Sequence, residues 1–123
     1  MPGKRKRKRG AIHTERQLLE SAVALYLQEC YEAQTPARTS ELAQRLRMSP
    51  KHLTREIARI AGQTPHGFLR SRQLEYAAKL LRLTPLTLPE IALHSGFGTD
   101  RTLHRAFKRS FAMTPREYRN KVK

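Results

Sequence analysis

The chain repeats itself at a fixed offset of fifty residues. Ser49-Pro50-Lys51-His52-Leu53-Thr54-Arg55-Glu56-Ile57, followed by Gln63-Thr64-Pro65 and Phe68, returns as Thr99-Asp100-Arg101-Thr102-Leu103-His104-Arg105-Ala106-Phe107, followed by Met113-Thr114-Pro115 and Tyr118. Hydroxyl, apolar, basic and aromatic positions coincide. Whatever unit the first copy builds, the second must build too. In each copy a hydroxyl residue precedes a helical apolar spacing, and a shorter helical segment lies before it. The pattern predicts two helix-turn-helix units.

The rest of the chain reads as helix in the same way. Thr14-Glu15-Arg16-Gln17 has the form of a capping box, and Leu19, Ala22, Val23, Tyr26, Leu27 and Cys30 follow at helical spacing. A first helix is predicted over about 14–32, broken by Gln34-Thr35-Pro36-Ala37. Thr39 or Ser40 caps a short second helix with Leu42, Ala43 and Leu46 inward. Ser49-Pro50 starts a third, over 50–61, with Leu53, Ile57 and Ile60 inward and Gly62 as its stop. Thr64-Pro65 starts a longer helix ending near Arg82. Thr87-Leu88-Pro89-Glu90 opens a fifth, Thr99 caps a sixth, and Thr114-Pro115-Arg116-Glu117 opens a short last one. Nothing reads as a strand. The expected fold is all-α, with seven helices forming two helix-turn-helix subdomains joined by a long linker helix. Its divisions fall at residues 1–12 (a disordered basic tail), 13–64, 65–83 (the linker) and 84–121.

Charge narrows the partner. Lys and Arg number 25 against 10 acidic residues in 123, a formal +15. The run Lys4-Arg5-Lys6-Arg7-Lys8-Arg9 holds six of these; without it, nineteen basic residues still face ten acidic ones. A folded part this basic points to a polyanion, nucleic acid first. The tail run reads either as a DNA arm in the minor groove or along phosphates, or as a flexible solubilising end, the arm being the favoured reading. The single Cys30 leaves no intramolecular disulfide and no multi-cysteine zinc site, and its place on the apolar stripe makes it a buried small hydrophobe. Five scattered histidines lack metal spacing, so neither an enzyme, a metal nor a cofactor is expected. No apolar run reaches the roughly 18 residues of a membrane span, and no signal peptide is visible. A cytoplasmic protein is expected.

A helix-turn-helix needs a small residue on its first helix and a tight turn. Ala43 and Ala92 meet the first need, and Gly96 meets the second. Arg47, at the matching turn position of the first copy, does not, since a left-handed conformation there costs a non-glycine residue about 1 kcal/mol. The second copy has one more residue between its alanine and its cap. The second helix of each unit should enter the major groove, N-terminal residues toward the base edges. With Leu53 and Ile57 inward, the opposite face offers Lys51, Thr54 and Arg55; with Leu103 and Phe107 inward, it offers Arg101, Thr102 and Arg105. Arg55 and Arg105 are equivalent, and arginine reads guanine bidentately. Asp100 accepts from cytosine or serves as a capping carboxylate, the cap being the favoured reading. Phosphates are expected at the helix starts Thr39, Ser49, Thr99 and Thr114, and at Arg59, Lys108, Arg109 and Arg116.

Residues 87–119, from Thr87-Leu88-Pro89-Glu90-Ile91-Ala92 through Phe107-Lys108-Arg109 to Thr114-Pro115-Arg116-Glu117-Tyr118-Arg119, resemble the signature of the AraC/XylS family of bacterial transcription regulators. The first copy, with Ser49-Pro50, Leu53, Arg55 and Gly62-Gln63-Thr64-Pro65, is similar to that family's first helix-turn-helix. The resemblance implies two units bridged by a rigid helix, reading adjacent major-groove segments about one turn (~34 Å) apart. It carries over Lys51, Thr54, Arg55, Asp100, Arg101, Thr102 and Arg105 as base readers. It also implies promoter binding and activation through RNA polymerase. Ala112 stands where the family usually has glycine, Arg47 replaces the common turn glycine, and Ile57 replaces a frequent phenylalanine. The length is that of the small stand-alone stress and multidrug-resistance regulators, which implies a monomer on DNA with no small-molecule effector. A DNA-binding fragment of a larger regulator is the alternative on length. A non-specific architectural nucleic-acid binder is the alternative on charge alone, and an antiactivator that binds protein is a third.

Overall fold

The computed structural model describes residues 2–122, with side chains from Glu15 to Val122. Seven helices follow in order: α1 Pro2–Ala33, α2 Thr39–Arg45, α3 Pro50–Ala61, α4 Pro65–Leu83, α5 Leu88–His94, α6 Asp100–Phe111 and α7 Pro115–Lys121. The fold is all-α, and no strand occurs among the described residues. The repeat is kept in three dimensions: α3 and α6 are each 12 residues long and begin fifty residues apart.

Local chemistry explains most helix limits. Ser49, Thr64, Thr87, Thr99 and Thr114 each accept a backbone N–H from the residue three positions on. Thr87–Glu90 and Thr114–Glu117 form complete capping boxes. Two limits differ from the sequence reading. The main chain of α1 continues N-terminal of Thr14 to Pro2, a residue suited to the first helical position. The side chains of the Lys4–Arg9 run lie outside the described residues, and with them the expected DNA arm. The second correction is at α2, whose cap is Arg38 rather than Thr39 or Ser40, without a side-chain capping bond. Tertiary contact replaces the cap: the Tyr26 hydroxyl of α1 accepts the Arg38 amide at 2.9 Å and donates to Glu41 Oε1 at 2.6 Å. Burial, then the bond to Glu41, raises the Tyr26 phenol above its ordinary value.

Two apolar cores form, and α4 serves both. Phe68 and Leu69 join Leu19, Val23, Tyr26, Leu27, Cys30, Leu42, Ala43, Leu53 and Ile57 in the first. Leu74, Ala77, Ala78 and Leu81 join Ile91, Ala92, Phe97, Leu103 and Phe107 in the second. Cys30 is buried as a small hydrophobe. In the second unit Phe107 stacks on Phe111 at 4.2 Å and meets Tyr118 edge-on at 5.2 Å. The equivalent positions of the first unit hold Ile57, Ala61 and Phe68. Arg119 ties α7 back by donating to the carbonyls of Leu81 and Thr84 at the end of α4, each at 3.2 Å.

The turns show how the copies differ. Met48 N donates to Ala43 O and Phe97 N to Ala92 O, both at 2.9 Å, so the two turns close alike. Arg47 adopts φ 56° where Gly96 adopts φ 75°. The first turn therefore takes the left-handed conformation despite its arginine, held by the Met48 hydrogen bond and by half-buried Leu46 and Met48 packed against the first core. The extra residue of the second copy is Gly98, φ 87°, where a Cβ would come within 3.1 Å of Pro36 Cγ.

Ala112 ends α6 at φ 59° where Gly62 ends α3 at φ 67°. The left-handed region costs a residue with a Cβ about 1 kcal/mol. Ala112→Gly is expected to raise stability by roughly 0.5–1 kcal/mol, a few degrees in Tm. Gly96→Ala is expected to lower it by more, since its Cβ would also meet Gln73 Nε2 at 3.1 Å and Tyr31 at 3.3 Å. Thermal unfolding of the two variants checks both signs.

Candidate nucleic-acid interface

The outer faces of α3 and α6 carry the predicted reading residues. Lys51, Thr54, Arg55, Asp100, Arg101 and Arg105 are exposed, and Thr102 is half-buried. Leu53, Ile57, Leu103 and Phe107 are buried on the opposite side, which fixes the rotation of each helix. Arg55 and Arg105 form no salt bridge with any described carboxylate, so both guanidiniums are available to an outside acceptor. Thr54 donates its hydroxyl to Pro50 O at 2.9 Å, and the Thr102 hydroxyl lies 3.0 Å from that of Thr99. These two threonines offer a base edge an oxygen lone pair or a methyl group. At the start of α6 the cap is Thr99, not Asp100; Asp100 sits exposed at the first helical position, where its charge suits the helix dipole.

The phosphate candidates divide. Lys108, Arg109 and Arg116 are exposed cations without a salt bridge among the described residues. Ser49 and Thr99 cap α3 and α6, leaving other first-turn amides open. Thr114 and Glu117 spend their own amides on each other in the capping box of α7. Thr39 is a half-buried first-turn residue of α2. Arg59 is drawn elsewhere: it pairs with Glu15 of α1 and, at 2.8 Å, with Glu56. Both carboxyls are held below their ordinary values, first by the hydrogen bond to Arg59. A phosphate there would have to displace two carboxylates, so Arg59 braces α1 against α3.

Sequence reading missed the residue that sets the two units against each other. Gln73 of α4 is 1% exposed and donates to Ser95 O at 3.1 Å and Gly96 O at 2.8 Å in the second turn. Gly96 O also accepts the Ala37 amide of the α1–α2 connection at 3.0 Å. Tyr31 of α1 covers the same glycine and stacks on Tyr76 of α4 at 4.6 Å. Linker, first unit and second turn meet at one peptide. The available signal was a polar residue inside the apolar stripe of α4, between Leu69 and Ala77.

Known proteins share this fold. A family profile described as a helix-turn-helix domain matches residues 42–121. The chain belongs to the AraC-type helix-turn-helix family. It is 39% identical over 82 residues to the HTH-type transcriptional regulator Rv1931c of Mycobacterium tuberculosis, a stretch that is 67% of this chain and 32% of that protein. It is 36% identical over 84 residues to the right origin-binding protein of Escherichia coli K12, 68% of this chain and 29% of that one. The chain thus spans about a third or less of the length of these relatives. Among solved structures, the DNA-binding domain of AdpA in complex with a target DNA superposes with a TM-score of 0.73 at 25% identity, covering 83% of this chain and 89% of that one. The AraC-type family consists of DNA-binding transcription regulators rather than enzymes. Among the described residues no helix is long and apolar enough to cross a membrane.

Carboxylates at two helix starts link the stability of this chain to pH. Backbone hydrogen bonds to Thr87 and Thr114 are the first cause holding Glu90 and Glu117 below their ordinary values. With folded values depressed, their stabilisation is complete above the unfolded glutamate range, about pH 4.3, and is lost as pH falls through the folded values. Tm is expected to be flat above that range and to drop below it. The Glu90→Gln/Glu117→Gln variant should show a shallower acid limb in the same titration.

Proposed function

We propose that the chain is the sequence-reading part of a transcription regulator, with α3 and α6 entering neighbouring major-groove segments of a promoter. The observation that carries this reading is the pair Arg55 and Arg105. They are repeat-equivalent, exposed and without a salt-bridge partner among the described residues, on helices whose rotation is set by buried Leu53 and Leu103. Each sits one turn into its helix, where arginine reaches guanine O6 and N7 bidentately. Lys51 and Thr54 flank Arg55, and Asp100, Arg101 and Thr102 flank Arg105. Lys108, Arg109 and Arg116, with the α3 and α6 starts, supply phosphate contacts.

The junction at Gln73 and Gly96 supports simultaneous reading by one copy, because two heads on a fixed frame define a fixed half-site separation. A single chain on DNA in the bacterial cytoplasm, activating through RNA polymerase without a small-molecule effector, is the corresponding whole-protein proposal. The solved AdpA domain bound to its target DNA and the regulator names of the relatives support the DNA-binding and regulatory part of that proposal.

Selection of bound duplexes from a random pool at physiological salt is expected to enrich a bipartite site, halves about one helical turn apart. Arg105→Ala is expected to abolish specific binding. Arg55→Ala should weaken it by about 1–3 kcal/mol, roughly five- to 150-fold. Negligible loss from both variants would sink the two-reader reading. No enrichment, with steeply salt-dependent binding, would favour an architectural role.

A further inference from the structure

The two units share a backbone but not a charge pattern, and the difference falls at one place. In the first unit α1 crosses the recognition helix α3, and Arg59 of α3 is neutralised there by Glu15 and Glu56. In the second unit the crossing helix is α4 and the recognition helix is α6. An offset of 51 lays buried Val23, Tyr26, Leu27 and Cys30 of α1 on buried Leu74, Ala77, Ala78 and Leu81 of α4. In that register Glu15 becomes His66 and Leu19 becomes Arg70. In the fifty-residue register of α3 and α6, Glu56 becomes Ala106 while Arg59 is kept as Arg109. Both carboxylates of the first unit are gone, and one more guanidinium has been added.

The result is a groove between α4 and α6 whose lining includes His66, Gly67, Arg70, Arg105, Ala106 and Arg109. Arg70 is half-buried, its guanidinium 4.8 Å from the Phe97 ring centroid, and no described carboxylate pairs with it. Burial pushes it below its ordinary value, so a nearby anion would relieve that cost. His66 and Gly67 of the first turn of α4 line the same groove, so the positive end of a 19-residue helix lies beside it, with the Gly67 amide held by Thr64 Oγ1. Arg105 places the groove beside the base-reading face.

We infer that this groove holds a backbone phosphate of the bound duplex, making the linker helix a third, sequence-independent contact beside the two reading helices. Arg70 and Arg109 grip the phosphate oxygens from α4 and α6, and the first unit, internally neutralised at Arg59, makes no such contact. The inference rests on the DNA-binding reading above and adds which cations hold the backbone and where.

The test uses the full chain and a duplex carrying its selected site. Phosphates in the span between the two halves are replaced one at a time by neutral methylphosphonates. One position is expected to lower affinity about tenfold and to reduce the salt slope by about one, as for one lost phosphate contact. Ala106→Glu restores the first unit's carboxylate to Arg109. It should weaken binding by a similar factor at unchanged Tm, and should no longer respond to the methylphosphonate. Arg70→Gln should behave likewise, with its Tm reporting any loss from the Phe97 contact. Arg59→Ala should alter affinity less than twofold. A flat methylphosphonate scan, or Ala106→Glu and Arg70→Gln binding as the unaltered protein does, overturns the phosphate site while leaving the reading helices intact. If the unaltered protein binds no duplex at all, both readings fall together.

Discussion

The carbonyl of Gly96 holds this molecule to one shape. It accepts one hydrogen from the Gln73 amide and another from the Ala37 backbone, so α4 and the α1–α2 connection meet at the turn of the second unit. A buried amide left without its acceptor costs about 1–3 kcal/mol, so separation of the units is opposed by more than apolar contact. Tyr31 and Pro36 close over Gly96 and Gly98, where only hydrogen fits comfortably. The glycines serve close approach between units as well as the left-handed turn. The reading of two groove segments proposed above calls for this rigidity, because an error in the angle between the two helices would misplace one of them.

The shared linker follows from the same economy. α4 is the last helix of the first unit and the first helix of the second, giving Phe68 and Leu69 to one core and Leu74, Ala77, Ala78 and Leu81 to the other. Arg70 and Gln73 fall at the crossover between these two sets, where the helix leaves one core and enters the next. That boundary is where a polar or charged side chain can sit inside a packed helix without entering either core.

The two copies of the repeat share a backbone but differ in chemistry. The second unit fills its core with Phe107, Phe111 and Tyr118, whereas the first uses Ile57, Ala61 and Phe68. On the surface the difference runs the other way: Glu15, Glu56 and Arg59 are closed on one another, while the groove at the matching place of the second unit is lined by Arg70, Arg105 and Arg109 and by no carboxylate. Net charge describes the attraction of the whole chain to a polyanion. It does not say which cations are already paired, and that decides where a phosphate can be held.

Seven helices, their inward faces and the two exposed arginines were legible in the sequence because their signals are local. An apolar residue recurs within four positions, and a hydroxyl cap finds its amide within three. Tertiary structure decided what depends on residues far apart in the chain. The start of α2 is set by Tyr26, 12 residues before Arg38. Arg59 is claimed by Glu15, 44 residues away. Gln73 finds its acceptors 22 and 23 residues on. Arg47 and Ala112 take left-handed conformations that local rules reserve for glycine, because the packed helices on either side fix where the chain must turn. Periodicity and capping act within one turn of helix; the pairing of charges and the angle between the two units exist only once the chain has folded back on itself.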